Sequence, residues 1–365
     1  MGRHRSHIDA SKCKECGKCA DACPYNAIAH LKRPCKYSCP VDAITYDENG
    51  ISIIDKEKCI RCGKCIHSCP FGAIGSKTYI VDVIEALKSG KKVYAMAAPA
   101  TEGQFGRDIT MASWKIAMKE MGFDDFYDVG LGGDMTAAYE AEEWAEAYKE
   151  GKKKVTSCCP AFVNMVRLHY PQLAECVSTT VSPMCAVSRL IKAKEPDAVT
   201  VFIGPCLAKK SEVVDQQIPG NADYVLTYSE LRAIMRAKGV ALQPCGNDDQ
   251  IASTYGKRFA NSGGVTEAVL QSLKESGEDI DAKVYRANGA AECKKALLLL
   301  RAAKLPEDFV EGMICDGGCV GGPSAFKDQM KFKKDRDELI LQADNREIHE
   351  NLEDYDMESF SMHRE

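Results

Sequence analysis

The chain has 365 residues, of which 45% are hydrophobic and 28% charged, and this balance is ordinary for a soluble globular protein of about two domains. Its formal net charge of −5, without any basic run, argues against nucleic acid as the main partner. No apolar stretch approaches the ~20 residues that span a bilayer, and residues 1–7 are not followed by the apolar segment of a signal peptide. We therefore predict a cytoplasmic protein whose partners include neither nucleic acid nor a membrane.

Nineteen of the residues are cysteines, and their spacing decides how they are interpreted. A disulfide scaffold is typical of small secreted chains. Here the cysteines are spaced as metal ligands and are separated by Gly, Lys and Glu residues. A reducing compartment suits this use, because a thiolate must stay free in order to bind iron.

Residues 1–78 contain the run Cys-x2-Cys-x2-Cys-x3-Cys-Pro twice. With this spacing three thiolates bind one [4Fe-4S] cluster, and the fourth, before proline, reaches the partner cluster, as in bacterial ferredoxins. We predict a small α+β ferredoxin-like domain with two [4Fe-4S] clusters, and a zinc site is the alternative that the doubled run disfavours. The cysteines of the two runs are Cys13, Cys16, Cys19, Cys23, Cys59, Cys62, Cys65 and Cys69.

A half-repeat, Cys35-x3-Cys39-Pro40, is inserted between the two runs and lacks the two leading cysteines. The domain therefore has ten cysteines, more than two four-thiolate clusters need. In the unmodified pattern Cys69 closes the first cluster and Cys23 closes the second. The insertion leaves open whether Cys39 replaces Cys23, and whether Cys35 is a ligand.

Residues 79–345 alternate strand-like apolar runs with helical runs, which is typical of α/β layers with largely parallel sheets flanked by helices. In such folds ligands lie beyond the carboxyl ends of the strands. Residues 346–365 are acidic and weakly patterned, and we predict a solvated tail or a docking strip. The clearest predicted strands are residues 93–98, 199–203 and 284–287, and the clearest helices are residues 111–121, 137–148 and 292–303.

Three short motifs follow strand-like or apolar runs: Thr-Ser-Cys-Cys-Pro at 156–160, Pro-Cys-x-Ala-Lys-Lys-x-Glu at 205–212 and Cys-x-Gly-Gly-Cys at 315–319. Two adjacent cysteines cannot easily point at the same metal, so one binds and the other faces away. Glycines let a backbone pass close to a cluster. Lys209, if buried, suits a hydrogen bond to an anionic ligand, because an unpaired buried ammonium is costly, whereas a surface lysine is the alternative.

These motifs, in this order behind a ferredoxin module, resemble the three signatures of [FeFe]-hydrogenases over nearly the whole chain. The resemblance implies a catalytic domain of two lobes that holds an H-cluster. In this cofactor a [4Fe-4S] cluster is bridged through one cysteine sulfur to a diiron unit that carries CO, cyanide and an azadithiolate. The resemblance further implies that the [4Fe-4S] part is held by Cys159, Cys206, Cys315 and Cys319, with Cys319 as the bridge.

The same resemblance assigns roles around the diiron unit. Cys158 would shuttle protons to the bridgehead amine, Lys209 would hydrogen-bond a cyanide, and Met313 would pack near the bridging CO. Ala98-Pro99 resembles the loop that covers the other cyanide, and Ser182 is expected among the cofactor-binding residues. Dedicated maturation proteins build this kind of cofactor.

A proton route is implied as well. Glu140 and Glu143 share one face of a helix, and Ser178 matches a serine between the two family glutamates. The implied path runs from Cys158 through Glu140, Ser178 and Glu143 to solvent. The residues alone favour a solvated helix face made of Glu140, Glu142, Glu143 and Glu146, and only the resemblance favours the relay.

The chain departs from the best-studied members of the family at Ala100, Met184, Gly204 and Asp316. Such changes around a cluster tune its potential and the orientation of its ligands. We predict reversible proton reduction, with electrons supplied by a ferredoxin-type carrier. Gly130-Leu131-Gly132-Gly133 does not meet the nicotinamide fingerprint, so direct use of NAD needs a partner subunit. The alternatives are a hydrogen sensor of low turnover and an iron–sulfur carrier or assembly protein.

Overall fold

The computed structural model describes residues 8, 12–13, 18–25, 27–28, 33–246, 250–278, 280–326, 329–343 and 346–365. Cys16, one of the predicted cluster ligands, lies outside these residues. In the part of the chain that is described, no helix is both long and apolar enough to cross a membrane.

The N-terminal part is built around a short antiparallel hairpin. A helix that carries the half-repeat precedes this hairpin, and a helix that carries the second cysteine run follows it and packs against the first. In chain order the elements are α1 (Lys18–Asp21), α2 (Pro34–Ser38), β1 (Ile44–Tyr46), β2 (Ser52–Ile54) and α3 (Lys64–His67).

Two parallel sheets form the larger part of the molecule. Their strands are, in chain order, β3 (Val93–Ala97), β4 (Asp125–Asp128), β5 (Lys154–Val155), β6 (Val199–Ile203), β7 (Tyr224–Leu226), β8 (Val284–Asn288) and β9 (Phe309–Met313). The first sheet has the order β4-β3-β6-β7 and the second the order β5-β9-β8. All pairings in both sheets are parallel, with Ala97 of β3 opposite Ile203 of β6 and Val155 of β5 opposite Val310 of β9.

Helices cover both sheets, and a hydrophobic core lies against each of them. The helices are α4 (Ile80–Lys88), α5 (Met111–Glu120), α6 (Gly130–Lys149), α7 (Pro160–His169), α8 (Pro183–Lys194), α9 (Lys209–Glu212), α10 (Tyr228–Lys238), α11 (Thr254–Arg258), α12 (Gly264–Glu275), α13 (Ala290–Arg301), α14 (Gln329–Ile340) and α15 (Ile348–Leu352). Short 3-10 helices lie at Pro99–Thr101, Pro171–Cys176, Cys319–Gly321 and Met357–Ser359.

The predicted α/β architecture of parallel sheets flanked by helices is confirmed, and the predicted strands and helices lie where they were expected. The main difference is α6, which begins at Gly130 and not near residue 137. Glycine has low helix propensity, so the first turns do not look helical in the sequence. They are helical because α6 packs very closely on α8 and α11: a Cβ on Gly132 would overlap the carbonyl oxygen of Pro183, and one on Gly133 would approach Gly256. The predicted boundaries at residues 78 and 345 stay predictions.

The prediction of a solvated tail is wrong. Ile348 and Met362 are buried, and the backbone N–H of Val181 donates to the carbonyl of Met362 at 2.8 Å. Asn351 is also buried and donates through Nδ2 to Asp134 of α6 at 2.9 Å. The few apolar residues of this segment are separated by acidic ones without a regular period, so their burial leaves no amphipathic pattern in the sequence.

Gly132→Ala tests the close packing of α6. The added methyl group must displace the backbone of α8, so we expect the free energy of unfolding to fall by about 2 kcal/mol, as for other overpacked cores. Gly246→Ala is the control, because an added Cβ meets no atom within 4 Å there. Thermal unfolding followed by circular dichroism measures both variants. Equal stability of the two variants would contradict this account of the early start of α6.

Candidate metal centre

The three motifs lie where their strands end. Cys158 and Cys159 follow β5, Cys206 follows β6 and Cys315 follows β9. Cys159 is the residue that precedes the first turn of α7, in extended conformation and with Pro160 at the first helical position. The carboxyl ends of strands from both sheets thus bring the cysteines to one place, as expected for parallel α/β layers.

The four thiols that the resemblance assigns to the cluster lie close together. Burial raises the pKa of Cys206 to about 11, and the neighbouring Cys159 adds to this rise. Loss of solvent also raises the pKa of Cys315 and of Cys319, and both are raised further by Cys206 and Cys159. Thiols that hinder one another's ionisation become thiolates when a cationic metal group binds them, so the donor set suits an iron–sulfur cluster.

The spacing of these thiols differs from that of a mononuclear site. Among the described residues, no three His, Cys, Asp or Glu side chains converge on the position of one metal ion. The four thiols around a [4Fe-4S] cluster each bind a different iron atom, so they stand farther apart than the ligands of a single ion. The loop between Cys315 and Cys319 is tight: Gly317 and Gly318 have φ of 81° and 86°, and a Cβ on Gly318 would overlap the backbone of residues 260–262.

A largely apolar cavity lies beside the thiols. The residues that line it are Ala98, Pro99, Ala100, Val129, Cys158, Pro183, Met184, Phe202, Pro205, Cys206, Lys209, Phe259, Ala260, Met313 and Cys319. Every residue that the sequence placed around the diiron unit is in this set, except Ser182. Ser182 is buried and contacts Lys209 from behind.

Lys209 is the one charged residue in this lining, as far as the chain is described. Its side chain is 9% exposed, so the alternative of a surface lysine is wrong. Nζ lies 2.6 Å from Glu212 Oε2 and donates to Ser182 Oγ at 2.7 Å, and Ser182 in turn donates to Glu212 Oε1 at 2.6 Å. Burial opposes the charge of Lys209, but the ion pair with Glu212 outweighs it and holds the pKa above its usual value. Sequence reasoning missed Glu212, although it lies three residues after Lys209 in the same motif.

Cys158 lines the cavity, and Glu140 lies behind it on α6. Burial raises the pKa of the Cys158 thiol well above its usual value, and the carboxyl of Glu140 is the next cause. Glu140 is fully buried, and no donor among the described residues meets its carboxylate oxygens in good hydrogen-bond geometry, although the indole of Trp144 lies close enough to oppose the rise of its pKa. Its pKa is raised well above the usual range, first by burial and then by Glu143. The solvated-face alternative is therefore wrong for Glu140, whereas Glu142 is exposed as that alternative expects.

Glu143 lies nearer the surface and is held by the segment that contains Ser178. Its carboxylate accepts from the backbone N–H of Thr179 at 2.9 Å, from the Thr179 hydroxyl, and from the Thr180 hydroxyl at 3.3 Å. Ser178 is buried, and its hydroxyl oxygen accepts from the backbone N–H of Thr180. Within the described chain, no hydrogen bond joins Ser178 directly to Glu140 or Glu143. Sequence reasoning missed Thr179, which hydrogen-bonds Glu143 through both its backbone and its side chain.

In the N-terminal part the structure groups Cys39 with the second cysteine run. Burial raises the pKa of Cys62 to about 11, and the charges of Cys39, Cys65 and Cys59 raise it further. The Sγ of Cys39 accepts from the backbone N–H of Ala43 at 3.2 Å. The repeated Cys-Pro-x-x-Ala phrase makes the same contact at a second of its three copies, where Cys69 accepts from Ala73 at 3.4 Å. Cys13, Cys19 and Cys23 belong to the first run, whose Cys16 is not described.

The second cysteine run packs directly on the metal centre. Gly63 lies so close to Leu207, the residue after Cys206, that a Cβ would overlap its side chain. Lys64 forms an ion pair of 3.0 Å with Asp316, inside the Cys-x-Gly-Gly-Cys loop. Cys62 also contributes to the raised pKa of Cys315. The thiols of the second cysteine run and the thiols of the metal centre are thus direct neighbours.

A ferredoxin-type thiol set beside a buried four-thiol site defines an iron–sulfur redox protein. Residues 91–323 match the family described as the iron only hydrogenase large subunit, C-terminal domain. Residues 6–29 match the 4Fe-4S binding domain and residues 29–80 match the LdpA Fe-S cluster-binding domain. The chain belongs to the iron-only hydrogenase family and carries N-terminal iron–sulfur domains.

The proteins similar to this chain include hydrogenases and a protein described as an iron–sulfur cluster assembly factor. The periplasmic [Fe] hydrogenase large subunit of Nitratidesulfovibrio vulgaris is 30% identical over 87% of this chain and 86% of its own length. Iron hydrogenase 1 of Clostridium pasteurianum is 27% identical over 86% of this chain and 64% of its own. A Brugia malayi protein described as a probable cytosolic Fe-S cluster assembly factor is 24% identical over 64% of this chain and 62% of its own.

A solved structure shows the same fold. A variant of the [FeFe]-hydrogenase HydA1 from Chlamydomonas reinhardtii has a TM-score of 0.58 and 20% identity, over 75% of this chain and 92% of that chain. The prediction of an [FeFe]-hydrogenase-like protein is confirmed. One relative is named as periplasmic, so the cytoplasmic location stays a prediction.

Paired variants test the grouping of Cys39. In a Cys13→Ala background, which removes a ligand of the first run, we add either Cys39→Ala or Cys23→Ala. Because Cys39 lies beside Cys59, Cys62 and Cys65, the variant with Cys39→Ala should lose about four further iron atoms, the content of one [4Fe-4S] cluster. The variant with Cys23→Ala should keep them. Iron analysis and the electron paramagnetic resonance spectrum of the reduced protein measure the outcome, and the reverse pattern would contradict the grouping.

Proposed function

We propose that this chain catalyses the reversible reduction of protons to hydrogen at an H-cluster. The supporting observation is the apolar cavity beside the four clustered thiols, with Cys158, Lys209 and Met313 in its lining. The [4Fe-4S] part of the H-cluster would be held by Cys159, Cys206, Cys315 and Cys319, and Cys319 would be the bridge to the diiron unit. When bound, the cofactor would supply the redox chemistry that joins two protons and two electrons.

The lining of the cavity suits the second metal unit. Ala98, Pro99 and Met313 offer apolar contact to neutral diatomic ligands and exclude water. The ammonium of Lys209, fixed by Ser182 and Glu212, offers one charged donor to an anionic ligand. A buried ammonium at the edge of an apolar cavity is stabilised when an anion faces it, so the site fits the cofactor.

Protons would move through the chain's own side chains. Loss of solvent raises the pKa of Cys158 and that of Glu140 well above their usual values, so both groups hold a proton more tightly than they would in water. Cys158 would exchange its Sγ proton with the cavity and take a proton from the carboxyl of Glu140. Ser178 and Glu143 would continue the path outwards.

Electrons would arrive from the N-terminal domain. A cluster held by Cys39, Cys59, Cys62 and Cys65 would lie next to the catalytic thiols, because Gly63 packs on Leu207. A ferredoxin-type carrier would reduce this domain, and a nicotinamide donor would act through a partner subunit. Maturation proteins would insert the diiron unit.

The second candidate is an iron–sulfur carrier or assembly protein, which the Brugia malayi relative favours by its description. A carrier needs the four thiols and has no use for Glu140. A fully buried carboxyl without a well-formed hydrogen bond among the described residues costs free energy, about 1–3 kcal/mol, and proton exchange with Cys158 gives it a role. A hydrogen sensor would use the same site at low turnover, and only the measured rate separates it from an enzyme.

Glu140→Gln tests the proposal. Glutamine has nearly the same size but cannot take up and release the relayed proton, so hydrogen evolution should fall about 100-fold or more, the scale of lost general acid catalysis. The assay uses matured protein with reduced methyl viologen as the electron donor. Cluster content, read from iron analysis, should not change.

Glu142→Gln is the matched control on the same helix, because Glu142 is exposed. Its turnover should equal that of the unaltered protein. Unchanged turnover of the Glu140→Gln protein with intact clusters would overturn the relay. Absence of turnover in the unaltered, fully loaded protein would contradict the proposal that the chain is a hydrogen-evolving enzyme.

A further inference from the structure

The segment around His363 covers the outer side of Glu143. The backbone N–H of Val181 donates to the carbonyl of Met362, and that of Arg364 donates to the carbonyl of Thr179, both at 2.8 Å. These two bonds fix His363 beside the segment that binds Glu143. The sequence-based path ended at Glu143 with solvent, and it included no residue of this segment.

The imidazole of His363 is in contact with the end of that path. Nδ1 lies 2.8 Å from the Thr179 hydroxyl oxygen and 3.5 Å from Glu143 Oε1. The ring edge packs on Tyr139, with 5.9 Å between the ring centroids. The side chain of His363 is 45% exposed, whereas that of Glu143 is 12% exposed, so the imidazole is the more accessible group.

The hydrogen bonds fix the direction in which the imidazole donates. The Thr179 hydroxyl donates to Glu143 Oε1, and a hydroxyl has a single hydrogen to donate. The hydroxyl oxygen can then only accept from His363, which requires the hydrogen on Nδ1. Nε2 is left as the basic nitrogen of the neutral ring.

We propose that His363 is the residue through which protons enter and leave this relay. The proposal rests on the proposed function. For hydrogen evolution a hydronium ion gives its proton to Nε2 and becomes water. The imidazolium passes its Nδ1 proton to the Thr179 oxygen while the Thr179 hydroxyl proton moves to Glu143 Oε1. The ring, left with its hydrogen on Nε2, regains the Nδ1–H form by exchange with water. For hydrogen oxidation the same transfers run in reverse.

The charges around the imidazole suit this role. Glu143 Oε1 lies 3.5 Å from Nδ1, and the ammonium of Lys154 lies 3.7 Å from the other oxygen of Glu143. The guanidinium of Arg364 is directed elsewhere, to the carbonyl of Ser157 at 2.9 Å. Tyr139 adds a neutral ring. Histidine is the side chain most often used to take up and release protons at physiological pH, which suits a residue at the entrance of a proton path.

His363→Gln and His363→Ala, each in matured protein, test the proposal. We expect hydrogen evolution near pH 8 to fall about tenfold, less than for a group that touches the reacting atoms. The loss should shrink as the pH falls, because hydronium then protonates Glu143 directly. Added imidazole should restore much of the activity of His363→Ala. Thr179→Val should lose a similar factor, since it breaks the bridge and keeps the histidine.

His349→Gln is the matched control, because His349 contacts Ser272 and lies away from Glu143. It should keep full turnover. A second readout needs no turnover: nitrogen NMR of histidine-labelled protein should show His363 as the Nδ1–H tautomer, and an Nε2–H tautomer would overturn the hydrogen-bond direction.

Unchanged turnover in both His363 variants would overturn the proposal, and so would a loss that is equal at all pH values and insensitive to imidazole. Either result leaves the proposed function standing, because the protein still evolves hydrogen. Failure of the unaltered, fully loaded protein to evolve hydrogen would instead contradict the proposed function.

Discussion

Strands of two parallel sheets end at one place in the molecule, and the convergence of the cysteines at the metal centre depends on this arrangement. Strands β5 and β9 of one sheet and β6 of the other carry their cysteines on the loops that follow their carboxyl ends. A parallel strand presents every such loop at the same edge, so thiols from distant parts of the chain meet without a dedicated scaffold. The cysteine-rich N-terminal domain then packs on the same edge through Gly63 and Leu207.

Helix α6 connects this edge to the surface. Its first turns press against α8 and α11 through Gly132 and Gly133, and Asp134 binds Ser253 and Asn351, so the helix is fixed at its buried end. Burial raises the pKa of Asp134, and its hydrogen bonds with Ser253 and Asn351 lower it. Burial has the larger effect, so the pKa rises to about 7. Glu140, less than two turns further, has no hydrogen bonds of this kind among the described residues. A buried carboxyl with a raised pKa next to Cys158 follows from this placement.

Much of the fold could be predicted from the sequence because its buried strands are continuous apolar runs and its thiols have fixed spacings. The convergence of Cys206 with Cys315 could be expected from the family resemblance, and the parallel sheets explain it. The start of α6 could not be predicted, because local propensity disfavours the glycines that tertiary packing requires. The burial of Met362 could not be predicted either, since isolated apolar residues in an acidic segment carry no period.

Most of the contacts that sequence reasoning missed join distant parts of the chain. Thr179 and His363 are 184 residues apart in the chain, and no motif relates them. Glu212 was visible as part of a motif, but only the structure shows that it pairs with Lys209. The choice between Cys23 and Cys39 depends on how an inserted half-repeat folds, and spacing alone cannot decide this.

The central claim is that the cavity beside the four thiols holds a diiron unit with CO and cyanide ligands. An anaerobic infrared spectrum of protein produced together with maturation proteins, recorded under nitrogen and then under hydrogen, tests it most directly. We expect narrow CO and cyanide bands that shift when hydrogen replaces nitrogen. No such bands, while a reference [FeFe]-hydrogenase matured in parallel shows them, would contradict the account and favour the iron–sulfur carrier.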